Sequence, residues 1–224
     1  VEENVHIGRA LARIQAPIGG SRPTLSLLTA ALSPISTSAS PLAQLVNGNA
    51  IATGLLTLSE TAAPLPEQVV SVPRHIHFAL AQQDSPIPNT TLGISDFPTI
   101  SLPASTRHTA NQYAHSLQQN PHRILLLRAA SVNECRTVAA HIAQQLSLRP
   151  LFLETSLPTG LAPLLSLRQL LPIFCPQLSP GERHRLSPIP QHPGPILAIA
   201  VPDGLLSHPT RDLLTWTLPV PSLP

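Results

Sequence analysis

Lysine is missing from the sequence altogether, so all 13 basic side chains are arginines, set against 11 carboxylates for a net charge of +2. The isoelectric point of about 9.0 therefore rests on a small surplus. The arginines are scattered rather than gathered into a stripe, which argues against a nucleic-acid footprint. Aromatic residues, at 3%, leave few stacking platforms for single strands. Charged residues reach only 11%, so Ser, Thr, Gln and Asn must cover much of the surface and charge-driven solubility is poor.

Cysteine is scarce as well. Cys135 and Cys175 are too few for a secreted disulfide framework, and neither sits in a metal-type C-x-x-C pair. Buried free thiols in a reducing compartment are the expectation. The longest apolar stretch, 161–178, is broken by Arg168 and three prolines, which excludes a membrane span there. No basic and apolar leader opens the chain, although Val1 as the first residue leaves room for an upstream piece. A soluble cytoplasmic protein is expected, with neither a membrane nor nucleic acid among its partners.

What the chain does contain is a strand–turn–helix signal, RILLLRAASVNECRTVAAHIAQQL at 123–146. The branched run from Ile124 to Leu127 reads as a buried strand. After a short polar link, Val138, Ala139, Ile142, Ala143 and Leu146 fall on one helical face. A phosphate-binding α/β domain begins in this way. A P-loop, however, needs glycines so that backbone N–H groups can cradle phosphate, a Lys for the terminal phosphates and a Ser/Thr hydroxyl for Mg²⁺. With Thr137 aligned just after such a motif, Ala129 and Glu134 stand where the glycines belong, Cys135 stands for the Lys and Arg136 for the Ser/Thr. Ser131 and Glu134 instead read as a capping box. A carboxylate there would repel the phosphate that the helix dipole attracts.

The downstream order extends the pattern. RPLFLE at 149–154 reads as a second strand, LAPLLSLRQLL at 161–171 as a helix, LPIFC at 171–175 as a third strand, and GPILAIAVPDG at 194–204 and LLTWTLPVPS at 213–222 as later core strands. From about residue 120 to 224 the chain resembles the nucleotide-binding core of AAA+ type P-loop ATPases, particularly bacterial ATP-binding proteins with an extra N-terminal region. The resemblance implies a parallel sheet flanked by helices, in an α/β fold of P-loop NTPase type. It also implies that the third strand should end in Asp-Glu, for Mg²⁺ and the attacking water. Cys175, Pro176 and Gln177 stand there. Asp203 occupies the place of a polar γ-phosphate sensor. No helical lid follows Pro224, so its basic sensor is absent and no arginine finger is identifiable.

Upstream of this core, apolar spacing predicts helices over 5–14 and 25–32, the first ended by Pro17 and Gly19–Gly20. A Ser/Thr/Pro-rich loop spans 33–41. Residues 42–58 hold two apolar runs around the turn signal at Asn47–Asn49, with strands expected at 54–60 and 68–72 and a helix from Pro73. The organisation expected is a mixed helix/strand region over 1–81, a Pro/Ser/Thr-rich linker over 82–106 and a degenerate ATPase core over 107–224, entered by a helix at 107–119. SPGERHRL at 179–186 reads as a helix after Pro180 with a solvated charged face.

Other chemistry is thin. His75 and His77 lack a neighbouring carboxylate or Cys for a metal site, and the 10 histidines form no H-E-x-x-H pattern. No G-x-S-x-G elbow marks a nucleophile. Cys135 at a helix N-terminus has a physical reason for reactivity, opposed by Glu134 beside it. The vestigial nucleotide loop therefore comprises Arg128, Ala129, Ala130, Ser131, Val132, Asn133, Glu134, Cys135, Arg136 and Thr137, with no catalytic residue and no metal ligand. Arg128 and Arg136 are the candidate substitutes for the lost Lys. The expectation is a degenerate scaffold or interaction module that binds a protein partner or its own copies. No cofactor is expected, ATP and Mg²⁺ entering only where residual binding survives. An ATP-hydrolysing AAA+ protein and an incomplete or decayed copy are the alternatives.

Overall fold

The computed structural model describes residues 4–16, 20–35, 40–59, 62–93, 100–154, 156–179 and 181–219. Its amino-terminal part is made of small elements: helices α1 (Val5–Ile14), α2 (Leu25–Leu32), α3 (Pro41–Val46) and α4 (Asn49–Ala52), strands β1 (Thr57–Leu58) and β2 (Val70–Ser71), then helix α5 (Arg74–Leu80). Side-chain caps start three of the helices, with Asn4, Thr24 and Ser40 each accepting a backbone N–H of the first turn. Helices α1 and α2 match the apolar spacing. The runs flanking Asn47–Asn49 form two short helices, and the two expected strands shrink to the antiparallel pair β1–β2. Pro17, Gly19, Glu60 and part of the Ser-rich loop lie outside the described residues, while Pro41 opens α3.

The core follows with strand β3 (Thr90–Leu92), helix α6 (Ala104–Gln119), strand β4 (Ile124–Arg128), helix α7 (Val132–Gln145), strand β5 (Arg149–Leu153), helix α8 (Leu161–Arg168) and strand β6 (Leu170–Phe174). Strands β7 (Arg183–Arg185), β8 (Ile196–Ala200), β9 (Leu205–Ser207) and β10 (Leu213–Thr217) complete it. Six strands form one sheet in the order β10-β4-β8-β6-β5-β3. All neighbours are parallel except the edge strand β3, which runs antiparallel to β5. The sheet is therefore mixed, in an α/β fold.

A strand buried on both faces has to be apolar along its length, and β6 and β8 are, as is β4 up to its last residue, Arg128. Alternate side chains serve alternate layers. Leu125 and Leu127 of β4, Phe152 of β5 and Leu197 and Ile199 of β8 pack against Ala110, Ala114 and Leu117 of α6 and Val138, Ala139 and Ile142 of α7. Ile124 and Leu126, with Leu151 and Leu153, face the other way onto Leu161, Leu164 and Leu165 of α8 and Ile76 and Ala79 of α5. The amino-terminal elements thus supply part of one covering layer. Where α4 ends, Gly54 (φ +73) meets Gly160 (φ +78) at the start of α8, so closely that a Cβ on Gly54 would stand 2.5 Å from the Gly160 nitrogen.

Two stretches differ from expectation. Residues 183–185 are strand β7, paired in parallel with β9, and not a helix. Pairing with Leu205–Ser207 gives the backbone of Glu182, His184 and Leu186 partners on β9. Within 82–106, residues Thr90–Leu92 add an edge strand and Ala104 opens α6. No helix among the described residues is long and apolar enough to cross a membrane.

Candidate functional site at the carboxyl ends of the sheet

Parallel strands deliver their carboxyl ends to one edge of the sheet, and ligand crevices form there at points where the strand order reverses. In chain order the parallel strands are β4, β5, β6, β8 and β10, yet β4 lies between β10 and β8. At that edge a cavity of about 520 Å³ is lined by Val132 and Arg136 of α7, Glu154 after β5, Cys175, Pro176, Gln177, Leu178 and Ser179 after β6, and Ile199, Ala200 and Val201 at the end of β8.

The ten residues expected to form a nucleotide loop divide among this cavity, the core and the surface. Only Ala129, Ala130 and Ser131 separate β4 from α7, so the helix begins before a run of free N–H groups can form. Ala129 is buried, and Ala130 and Ser131 are exposed. Ser131 caps the helix, its Oγ accepting the Glu134 N–H at 3.4 Å. Asn133 and Glu134 are half-buried, and the Thr137 hydroxyl donates back to the Asn133 carbonyl at 2.9 Å. That hydroxyl is committed within its own helix. Arg128 lies at the end of β4 and donates to the Pro202 carbonyl beyond β8, outside the cavity lining.

Cys135, the residue aligned with a phosphate-binding Lys, points inward and is 0% exposed. Its spacing from Val138, Ala139 and Ile142 places it on the core face of α7. Burial pushes its thiol up to about 12, and the Glu134 carboxylate and Cys175 add to the shift. Cys175 is likewise raised to about 12 by burial, partly offset by Arg136 beside it. Both are neutral thiols at physiological pH and poor nucleophiles, which answers the reactivity the helix N-terminus offered.

Arg136, one residue on, turns into the cavity. Its guanidinium lies 5.9 Å from the centre of the Phe152 ring, a cation–π contact at the end of β5. With Glu154 also in its lining, the cavity has one cationic and one carboxylate residue, plus Gln177 and Ser179. Asp203 is exposed and does not line it. Glu154 and Ser179 carry no motif, but both follow buried parallel strands, and that position alone brings them to the carboxyl edge. Elsewhere, His75 Nε2 lies 2.7 Å from the Thr159 carbonyl, and among the described residues no three His, Cys, Asp or Glu groups gather as a metal set.

No protein-family model, curated protein or solved structure matches this chain.

Proposed function

We propose that the chain is a degenerate relative of AAA+ type ATP-binding proteins that serves as a scaffold or interaction module, without ATP hydrolysis and with nucleotide affinity weak or lost. The observation that carries this reading is the chemistry at the end of β6. In the resembled family that position supplies the carboxylates for Mg²⁺ and the attacking water, and here it presents Cys175, Pro176 and Gln177 to the cavity. The burial of Cys135 in place of the lysine and the three-residue turn before α7 support it from the phosphate side. The two buried layers around a continuous sheet favour a working scaffold over a decayed copy.

A second reading, residual binding of a phosphorylated ligand, is favoured by Arg136, which lines the cavity. Phosphate release from Mg-ATP separates the readings on the side of catalysis. The scaffold reading expects release equal to the protein-free blank and partner binding indifferent to ATP, Mg²⁺ and EDTA. Turnover that stops in EDTA and in Arg136→Ala would overturn it.

A further inference from the structure

Strands β7 and β9 form a separate two-stranded parallel sheet. Parallel pairing is almost always found buried, and an isolated two-stranded ribbon is marginal in water. Yet Arg183, His184 and Arg185 are all exposed. The ladder shows which edge is open. Leu205 N–H donates to the Glu182 carbonyl at 3.0 Å and Leu186 N–H to the Ser207 carbonyl at 2.8 Å. Parallel pairing engages alternate residues, so Glu182, His184 and Leu186 face β9. The N–H and C=O groups of Arg183 and Arg185 point the other way, toward an edge with no strand on it among the described residues.

Two arginines stand on this edge. Arg183 and Arg185 lie two apart and so share a face. Neither makes a side-chain hydrogen bond or ion pair among the described residues. The one nearby carboxylate in the segment, Glu182, is occupied, its Oε2 accepting the Ser179 N–H at 2.9 Å. Behind the strand Arg211 and His208 add no negative charge, and partial burial, then Arg211 and Arg185, lower the pKa of the half-buried His208 imidazole.

We propose that the open edge of β7 receives an extended acidic segment of a partner protein as a third strand. The partner's main chain pairs with the outward N–H and C=O groups of Arg183 and Arg185, and carboxylates spaced two residues apart meet the two guanidiniums on their shared face. Strand addition supplies affinity through backbone bonds and completes a ribbon that is otherwise poorly protected. Charge pairing selects the partner and speeds encounter. Residues 183–185 do not line the carboxyl-end cavity, so the surface stands whether or not that cavity binds nucleotide.

The test uses fluorescence anisotropy with the intact chain and a short labelled peptide alternating Glu and Thr. Two sister peptides accompany it, one with Gln for every Glu and one N-methylated at alternate residues. Binding should weaken by about tenfold or more with Gln, with N-methylation, and in the variant carrying Arg183→Glu and Arg185→Glu. Both substitutions are at exposed positions, and circular dichroism checks that the fold is kept; Arg183→Gln with Arg185→Gln gives a milder version of the same loss. Hydrogen exchange at the Arg183 and Arg185 amides should slow when the Glu peptide is present. Equal binding of all three peptides, or undiminished binding by the charge-reversed variant, would overturn the proposal. So would a single-stranded oligonucleotide and the N-methylated peptide binding as tightly as the Glu peptide, since that marks a simple polyanion surface.

Discussion

The two ends of the central sheet use most of their charged side chains differently, although Arg128 at the carboxyl end of β4 is also tied down, to the Pro202 carbonyl. At the amino end they are tied into the structure. Arg211, just before β10, donates to the carbonyls of Gly194 (2.7 Å), Pro121 (3.2 Å) and His192, joining the entries of β10, β8 and β4. Asp84 sits between Arg149 at the start of β5 and Arg168 before β6, with contacts of 2.7 and 2.8 Å. At the carboxyl end, Arg136, Glu154, Gln177 and Ser179 surround a cavity instead. A parallel α/β sheet places stability at one edge and leaves the other for ligands. Here the carboxyl edge carries a cavity with one arginine and one carboxylate in its lining.

The sharpest way to break the contrast is Arg211→Ala. It leaves three carbonyls without their donor and should cost about 3 kcal/mol, a fall in Tm of roughly 6–12 °C by calorimetry. Arg211→Lys should recover part of this, because an ammonium cannot span all three carbonyls. Asp84→Ala should cost about 1 kcal/mol, since the pairs are partly exposed but Arg168 is left half-enclosed and without its carboxylate. Hydrogen bonding from Arg149, ahead of the contribution from Arg168, holds the Asp84 carboxyl below its ordinary value. Its contribution is therefore present above that ordinary value of 3.8 and is lost as pH falls through the lower folded value. The gap in Tm between the parent and Asp84→Ala should close in strong acid.

Acid should act earlier through the histidines beside Arg211. Burial lowers the pKa of His192 and of His208, and Arg211 lowers both further. The unfolded chain takes up protons near the ordinary value of 6.5 while the folded chain resists, so stability declines as pH drops below that value. Melts across this range should show a smaller decline in the His192→Gln, His208→Gln variant. The smallest effect belongs to the carboxyl end, where Gln177 is exposed at the cavity rim. Gln177→Ala should change stability by less than about 0.5 kcal/mol in a denaturant titration. A loss as large as that of Arg211→Ala would erase the distinction between the two ends.

The sheet interior was legible in the sequence because each buried strand is a continuous apolar run. Ile124 to Leu127, 170–174 and 196–200 cannot be half-exposed, and the helical spacing from Val138 to Ala143 marks α7. The inward direction of Cys135 was also legible, being three and four residues before Val138 and Ala139. Alignment with a phosphate motif obscured it. Strands β3 and β7 were not legible, since Thr90–Leu92 and Arg183–Arg185 are short and polar and become strands only by pairing with β5 and β9. The cavity was half legible. Cys175 to Gln177 were placed at the end of a core strand by the apolar run before them, but the approach of Glu154, Ser179 and Arg136 depends on which strands lie side by side. No local pattern encodes that order, nor the meeting of Asp84 with Arg149 and Arg168.

The central proposal is that the carboxyl-end cavity does not bind Mg-ATP. A thermal melt of the purified chain with and without millimolar Mg-ATP tests it most directly. A ligand at about 100 times its Kd adds about 2.7 kcal/mol to the folded state, or a Tm rise of roughly 5–11 °C for a chain of this size. The account predicts one cooperative transition at the same temperature in both samples. A clear upward shift, abolished by Arg136→Ala, would contradict it.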